Sequence, residues 1–144
     1  MRRDHRILTQ LFELAQDVDT SDVSHAARVA AAVVLKGRII SWGVNERKSH
    51  PFQQQFSKNE HAVYWHAETR AIWNALKRID ESKMSACDVY VARACLSDRM
   101  EWCWGLARPC MGCSKAILTH GFRRVFYTLD KTGHWGSYYP DTVS

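Results

Sequence analysis

Between residues 4 and 16 the apolar positions Ile7, Leu8, Leu11, Phe12, Leu14 and Ala15 recur at helical spacing, with Asp4 placed to cap the start. This predicts an amphipathic helix packed on a sheet. Gln16 to Ser24 is rich in Asp and Ser and reads as a loop. Two β-prone runs, Arg28 to Leu35 and Arg38 to Trp42, are separated by Lys36-Gly37 and predict a hairpin that turns at the glycine. Glu46 to Tyr64 has few periodic apolar residues, contains Pro51 and consecutive glutamines, and reads as a long ordered loop of the kind that often carries function. From Glu68 the apolar positions Ile72, Leu76 and Ile79 return to a helical period. A strand near Val89 follows, then a second hairpin strand at Trp102-Cys103-Trp104, a helix over Ser114 to His120 ended by Gly121, and a strand over Arg123 to Tyr127 whose leading arginines read as a solvated edge. Thr128 to Ser144 is an aromatic tail with Trp135, Tyr138 and Tyr139, readable as a lid or an oligomer contact. The alternation of strands and helices favours an α/β sandwich, and a helix joining two strands allows them to be parallel.

A chain of 144 residues is expected to form one domain, residues 1–144, with a single core. Its 46% hydrophobic content is spread over short runs, none long enough to cross a bilayer, so no membrane association is expected. No cationic start leads into an apolar signal segment, which makes a cytoplasmic location the default expectation. Five cysteines, an odd number, argue against a disulfide framework and fit a reducing compartment. Twenty Lys and Arg against 15 Asp and Glu give a net charge of +5. That suits a phosphate-bearing substrate or a polynucleotide, but a solvated surface explains it equally well.

The chemistry concentrates in two short stretches, His66-Ala67-Glu68 and Pro109-Cys110-Met111-Gly112-Cys113. A catalytic zinc takes three protein ligands of mixed nitrogen and sulfur type and keeps a fourth position open. His66, Cys110 and Cys113 supply that set. A cysteine pair separated by two residues at a helix start can turn both sulfurs to one metal, and a helix N-terminus favours thiolates. Glu68 is then the informative residue, because a structural zinc site has a fourth Cys or His and no need of an acid beside it. A carboxylate just outside the ligand set can move protons to and from a substrate. The plainer alternative for the three ligands is a structural zinc knuckle or unrelated core residues. His61 repeats the His-Ala start without the acid and reads as a loop or substrate-side histidine. Cys87, Cys95 and Cys103 read as buried thiols on strands before a second metal cluster. His50 is placed to contact a sugar or phosphate, or is a surface histidine. Trp65, Trp102 and Trp104 lie near the two motifs in sequence; stacking on a base is one reading of them and core packing the other.

On these residues the chain resembles the cytidine and deoxycytidylate deaminase superfamily, whose zinc nucleobase deaminases carry H-x-E followed by P-C-x-x-C. Gly43-Val44-Asn45 matches a Gly-x-Asn that relatives carry after the first hairpin, and the segment from Cys113 to Tyr127 also looks like the family's C-terminal half. The resemblance covers most of residues 26 to 128. It implies a three-layer cytidine-deaminase-like α/β sandwich, a central mixed sheet flanked by helices with parallel later strands, and one catalytic Zn2+ held by His66, Cys110 and Cys113. It gives Glu68 the role of proton shuttle, Asn45 a contact to sugar or base, and the main-chain amide of Ala67 a hold on the base. His50 and Trp104 are further substrate-binding candidates. The stretch from Cys95 to Arg108 departs from relatives that run from a strand directly into Pro-Cys.

The resemblance implies hydrolytic deamination of a free cytosine nucleotide or nucleoside, with dCMP to dUMP the first expectation and a homo-oligomer the expected assembly. A deaminase acting on a base in single-stranded DNA or RNA is the alternative, and a non-catalytic zinc-binding interaction domain a further one. The tryptophans and the basic balance motivate the nucleic-acid reading without favouring it.

Overall fold

The computed structural model describes residues 2–18, 27–46, 50–56 and 65–140. Helix α1 spans Arg2–Gln16, followed by strands β1 (Arg28–Leu35) and β2 (Arg38–Val44), a short helix α2 (Pro51–Gln54) and helix α3 (Ala67–Leu76). Strands β3 (Cys87–Leu96) and β4 (Trp102–Gly105), helix α4 (Met111–Thr119), and strands β5 (Arg124–Thr128) and β6 (Trp135–Tyr138) complete the order. All six strands form one sheet, β2-β1-β3-β5-β6, with β4 also pairing on β3.

The sheet is built around β3. It pairs antiparallel with β1 from Arg28↔Ala94 to Leu35↔Cys87. Its other edge is shared: Asp88 to Val91 pair in parallel with β5, and Arg93 to Leu96 pair antiparallel with β4. The parallel pair is the one joined through α4, as the alternating pattern predicts. The middle of β1, Ala30 to Val34, and β3 from Cys87 to Ala92 are buried without interruption, because layers cover both faces and every side chain of a central strand meets one.

The faces can be told apart by residue parity. Ala31, Val33, Val89 and Val91 pack with Ala67, Ala71, Ile72 and Ala75 of α3 and with Ala116 and Ile117 of α4. Ala30, Ala32, Val34, Tyr90 and Ala92 pack against Ile7, Leu8, Leu11 and Ala15 of α1. The expected three layers are therefore present, with α3 and α4 together on one side. Among the described residues no helix is long and apolar enough to cross a membrane.

Several local expectations change. Asp4 lies inside the first turn of α1 and does not cap it; its carboxylate accepts a hydrogen bond from Tyr90 Oη and pins the helix to β3. Part of the long loop is helical, since Pro51 occupies the first helical position, where its missing N–H costs nothing, and His50 Nδ1 accepts from Phe52 N–H at 3.1 Å. Within the aromatic tail, Trp135–Tyr138 is a strand that covers the edge of β5 from Val125↔Tyr138 to Thr128↔Trp135. Arg123 is not a free surface charge, because its guanidinium grips the buried Asp88 carboxylate through two bonds of 2.9 and 2.7 Å.

Candidate metal centre and active site

His66 and Cys110 occupy equivalent places at the starts of neighbouring helices. Each is the N-cap of its helix, α3 or α4, with extended backbone and no side-chain capping bond. The imidazole and thiol turn toward each other across the helix ends. Cys113, one turn into α4, joins them from the buried side: His66 Nδ1 lies 3.5 Å from Cys110 Sγ and 3.3 Å from Cys113 Sγ. All three donor atoms fall within 4.8 Å of one another, and among the described residues this is the sole group of three or more His, Cys, Asp or Glu so placed. Donors about 2.0 and 2.3 Å from a common tetrahedral zinc are themselves about 3.5 Å apart, so this set fits one zinc ion and leaves its fourth position to something other than a described side chain.

The surrounding backbone fixes the His66 side of this arrangement. Trp65 and Glu46 exchange two backbone hydrogen bonds of 2.9 Å, which tie the residue before His66 to the chain leaving β2. Fully buried Gln53 presents its side-chain carbonyl to the His66 N–H at 3.1 Å and to the Thr69 hydroxyl. Ser41 Oγ donates to Ala71 O at 2.8 Å, so β2 holds the next turn of α3 as well. Gly43 makes that approach possible: a Cβ there would stand 2.9 Å from Arg70 Cβ and 3.0 Å from the Ala71 nitrogen.

Glu68, the second residue of α3, is 7% exposed and faces the same end. Burial pushes its carboxyl above the ordinary value, against the pull of His66, with Cys110 adding to the rise. The two thiols divide along their surroundings. A hydrogen bond from Cys113 draws the solvent-facing Cys110 down to about 3, against its own desolvation. Donating that hydrogen bond, together with full burial, pushes Cys113 well above the ordinary thiol value.

The remaining expected residues are placed unequally. Ala67 is the buried first residue of α3, so its N–H is among those that helix geometry leaves without an intrahelical partner. Asn45, at the end of β2, accepts from Val29 N–H at 2.9 Å and donates to Ala27 O at 2.8 Å, which fastens the start of β1. His50 caps α2 and stacks on Trp65 with ring centroids 4.0 Å apart. Trp104 requires a correction: it is buried on the opposite face of the sheet, packed between His5 and Phe12 of α1, because its β4 register pairs it with Ala94 on that side. Cys87, Cys95 and Cys103 are free thiols and form no second metal group among the described residues. His61 lies outside the described residues. The sequence reading missed Gln53; His50-Pro51, a cap followed by proline, was the signal that a helix begins there and turns the first of the three glutamines inward.

Residues 1–129 match the family model described as the cytidine and deoxycytidylate deaminase zinc-binding region. Among solved structures the chain is similar to a cytidine deaminase from Burkholderia pseudomallei, with a TM-score of 0.60, 16% identity, and coverage of 94% of this chain and 92% of that one. It is also similar to the apo dCMP deaminase of cyanophage S-TIM5, with a TM-score of 0.58, 20% identity, and coverage of 89% and 83%. A third similarity is to a diaminohydroxyphosphoribosylaminopyrimidine deaminase/reductase from Thermotoga maritima, with a TM-score of 0.51, 21% identity, and coverage of 86% of this chain but 28% of that one. No curated protein matches significantly.

Proposed function

From the premise that this chain belongs to the cytidine and deoxycytidylate deaminase family, zinc-dependent hydrolases of amidine C–N bonds, we propose that it deaminates a free cytosine nucleotide or nucleoside, with dCMP to dUMP and ammonia as the first reaction to test. The observation that carries this reading is the buried Glu68 carboxyl two residues from His66, beside three donors that fit a zinc with an open position. A bound zinc supplies Lewis acidity that activates water near neutral pH. Glu68, whose burial makes it a more willing proton carrier, takes one proton from the attacking water and delivers it to the ring nitrogen, then takes the second from the added hydroxyl and delivers it to the amino group, which leaves as ammonia. Ala67 N–H, at the positive end of α3, holds the base, and Asn45 contacts the sugar or base from the end of β2. The choice of dCMP follows the cyanophage enzyme, which has been crystallised with dCMP and dUMP.

One domain over residues 1–144, self-association and a cytoplasmic location complete the reading. Exposed Trp42 and Leu118 support an interface between copies, and five free cysteines support a reducing compartment. The core position of Trp104 removes one motive for a nucleic-acid substrate.

Ammonia release by zinc-loaded protein is the test, across dCMP, deoxycytidine, cytidine, guanine and a cytosine-containing single-stranded oligonucleotide, with Glu68→Ala alongside. Turnover of a cytosine mononucleotide or nucleoside that disappears in the variant is the expected result. Turnover of the oligonucleotide alone, or of guanine alone, overturns the substrate assignment.

A further inference from the structure

The end of the sheet next to Cys110 gathers two arginines around Thr128. The Thr128 hydroxyl accepts the Arg93 N–H at 3.1 Å and donates to Gly105 O at 2.6 Å, while its carbonyl accepts the Ala107 N–H at 3.0 Å. This brings Arg108, two residues before Cys110, against the face of the sheet that carries α3 and α4. Its guanidinium sits 4.6 Å from the Tyr138 ring centroid and 5.5 Å from that of Tyr127, and Nη1 donates to Tyr127 Oη at 3.0 Å. Gly136, opposite Tyr127 in β6, keeps that position open, since a Cβ there would stand 2.8 Å from the phenol oxygen. Burial raises the Tyr138 phenol above its ordinary value, with a hydrogen bond to Ser114 and the charge of Arg108 opposing.

These groups are prepared for an anion that the described residues do not supply. Arg70 and Arg123 each hold a carboxylate, at 2.8 and 2.7 Å, whereas neither Arg93 nor Arg108 has one within ion-pair distance among the described residues. Arg93 Nε is buried without a hydrogen-bond partner there. A buried donor left so costs free energy unless a ligand or water meets it. Arg108 itself is solvent-exposed, yet its plane is fixed by the two rings, so little rotamer freedom remains to be lost on binding. One N–H is engaged by Tyr127, and the rest of the fork stays available for two oxygens of one tetrahedral anion.

We infer that Arg108, clamped by Tyr127 and Tyr138 and backed by Arg93, receives the phosphate of a mononucleotide substrate and so selects nucleotide over nucleoside. This rests on the deamination reading above. It places specificity in the stretch from Cys95 to Arg108 and in the C-terminal β6 strand, both outside the zinc motifs.

The test compares zinc-loaded wild type, Arg108→Gln and Arg108→Lys by kcat/KM for dCMP, deoxycytidine and a deoxycytidine-containing oligonucleotide, with calorimetric binding of dUMP and deoxyuridine measured independently of turnover. In Arg108→Gln the preference for dCMP over deoxycytidine falls about 10- to 150-fold, the range for one charge-assisted pair, the advantage of dUMP over deoxyuridine falls in parallel, and lysine restores part of both. Equal losses on dCMP and deoxycytidine, an unchanged preference, or a loss confined to the oligonucleotide each overturn the inference while leaving deamination standing. If wild type turns over no cytosine compound, the deamination reading fails instead, and Arg108 is judged by binding alone: a dUMP advantage lost in Arg108→Gln upholds it, and equal binding of dUMP and deoxyuridine ends it.

Discussion

Replacing Gln53 with leucine separates the support of the metal site from the metal ligands themselves. The side chain is fully buried, and its carbonyl accepts from the His66 N–H and the Thr69 hydroxyl, so leucine removes one acceptor from two donors. Each buried donor left without a partner costs about 1–3 kcal/mol. Thr69 has an alternative, because its hydroxyl already lies 3.2 Å from His66 O, and its share of the loss is small. The His66 N–H loses the acceptor it holds at 3.1 Å. The net cost is therefore about 2 kcal/mol, a shift of about 1 M in the urea midpoint of a domain this size. Because the lost bond fixes the backbone of a ligand, zinc affinity falls about 10- to 100-fold, the usual effect of removing a group that orients a metal ligand. The midpoint is read by urea titration of metal-free protein and the affinity by competition with a chromophoric chelator. In the Gln53→Leu background, Thr69→Val then costs less than it does alone, since its partner is already gone. An unchanged zinc affinity and midpoint in Gln53→Leu would refute this account of how His66 is held.

Glu68→Gln retains zinc and loses about 10²- to 10⁴-fold in deamination rate, read by ammonia release and metal content together. In metal-free protein the same substitution reports on burial. The native carboxyl holds its proton above the ordinary value of 4.5, so wild-type stability is fully present below that value and is lost as pH rises through the raised one. The urea midpoint of Glu68→Gln then exceeds that of wild type at about pH 8 and converges toward it at about pH 4; parallel curves would contradict the burial argument. Gly43→Ala drives a methyl group to 2.9 Å from Arg70 Cβ and costs about 1–3 kcal/mol, with weaker zinc binding because α3 carries His66; neutrality in both measurements would show that β2 does not set the helix position. Trp104→Phe costs about 1–3 kcal/mol in thermal or urea unfolding but leaves KM for the substrate within about twofold, and a large KM change with native stability would return Trp104 to the site.

The elements easiest to read from sequence were those whose evidence is local and periodic. Helix α1 declares itself through Ile7, Leu8, Leu11 and Ala15, and the β1–β2 hairpin through Lys36-Gly37, because side-chain alternation and turn chemistry act within a few residues. The zinc ligands are legible for a related reason: each motif sits on a helix start, so a spacing of two or three residues already encodes a geometry. Strand β6 is different in kind. Its four residues include Gly136 and Ser137 and are only partly buried, and what makes them a strand is the edge of β5, an interaction no window of sequence contains. Gln53 was hidden similarly, since its value comes from a His66 N–H thirteen residues away.

Trp104 failed by the opposite route, through proximity in sequence. It lies six residues before Cys110, yet successive strand residues point to opposite faces, and pairing with Ala94 commits it to the α1 side. One register step would have placed the indole on the side of α3 and α4, where Cys103 and Gly105 now stand opposite Cys95 and Arg93. The same step would have set an indole across from Cys95 or Arg93, where even the Cβ of an alanine at Gly105 would meet Cys95 Sγ at 2.5 Å and the Arg93 chain at 3.1 Å. The close packing of Arg93 over Gly105 thus fixes the register that keeps Trp104 in the core and brings Arg93 toward Thr128. Core packing on one face and the cationic end of the candidate site on the other are consequences of a single strand pairing.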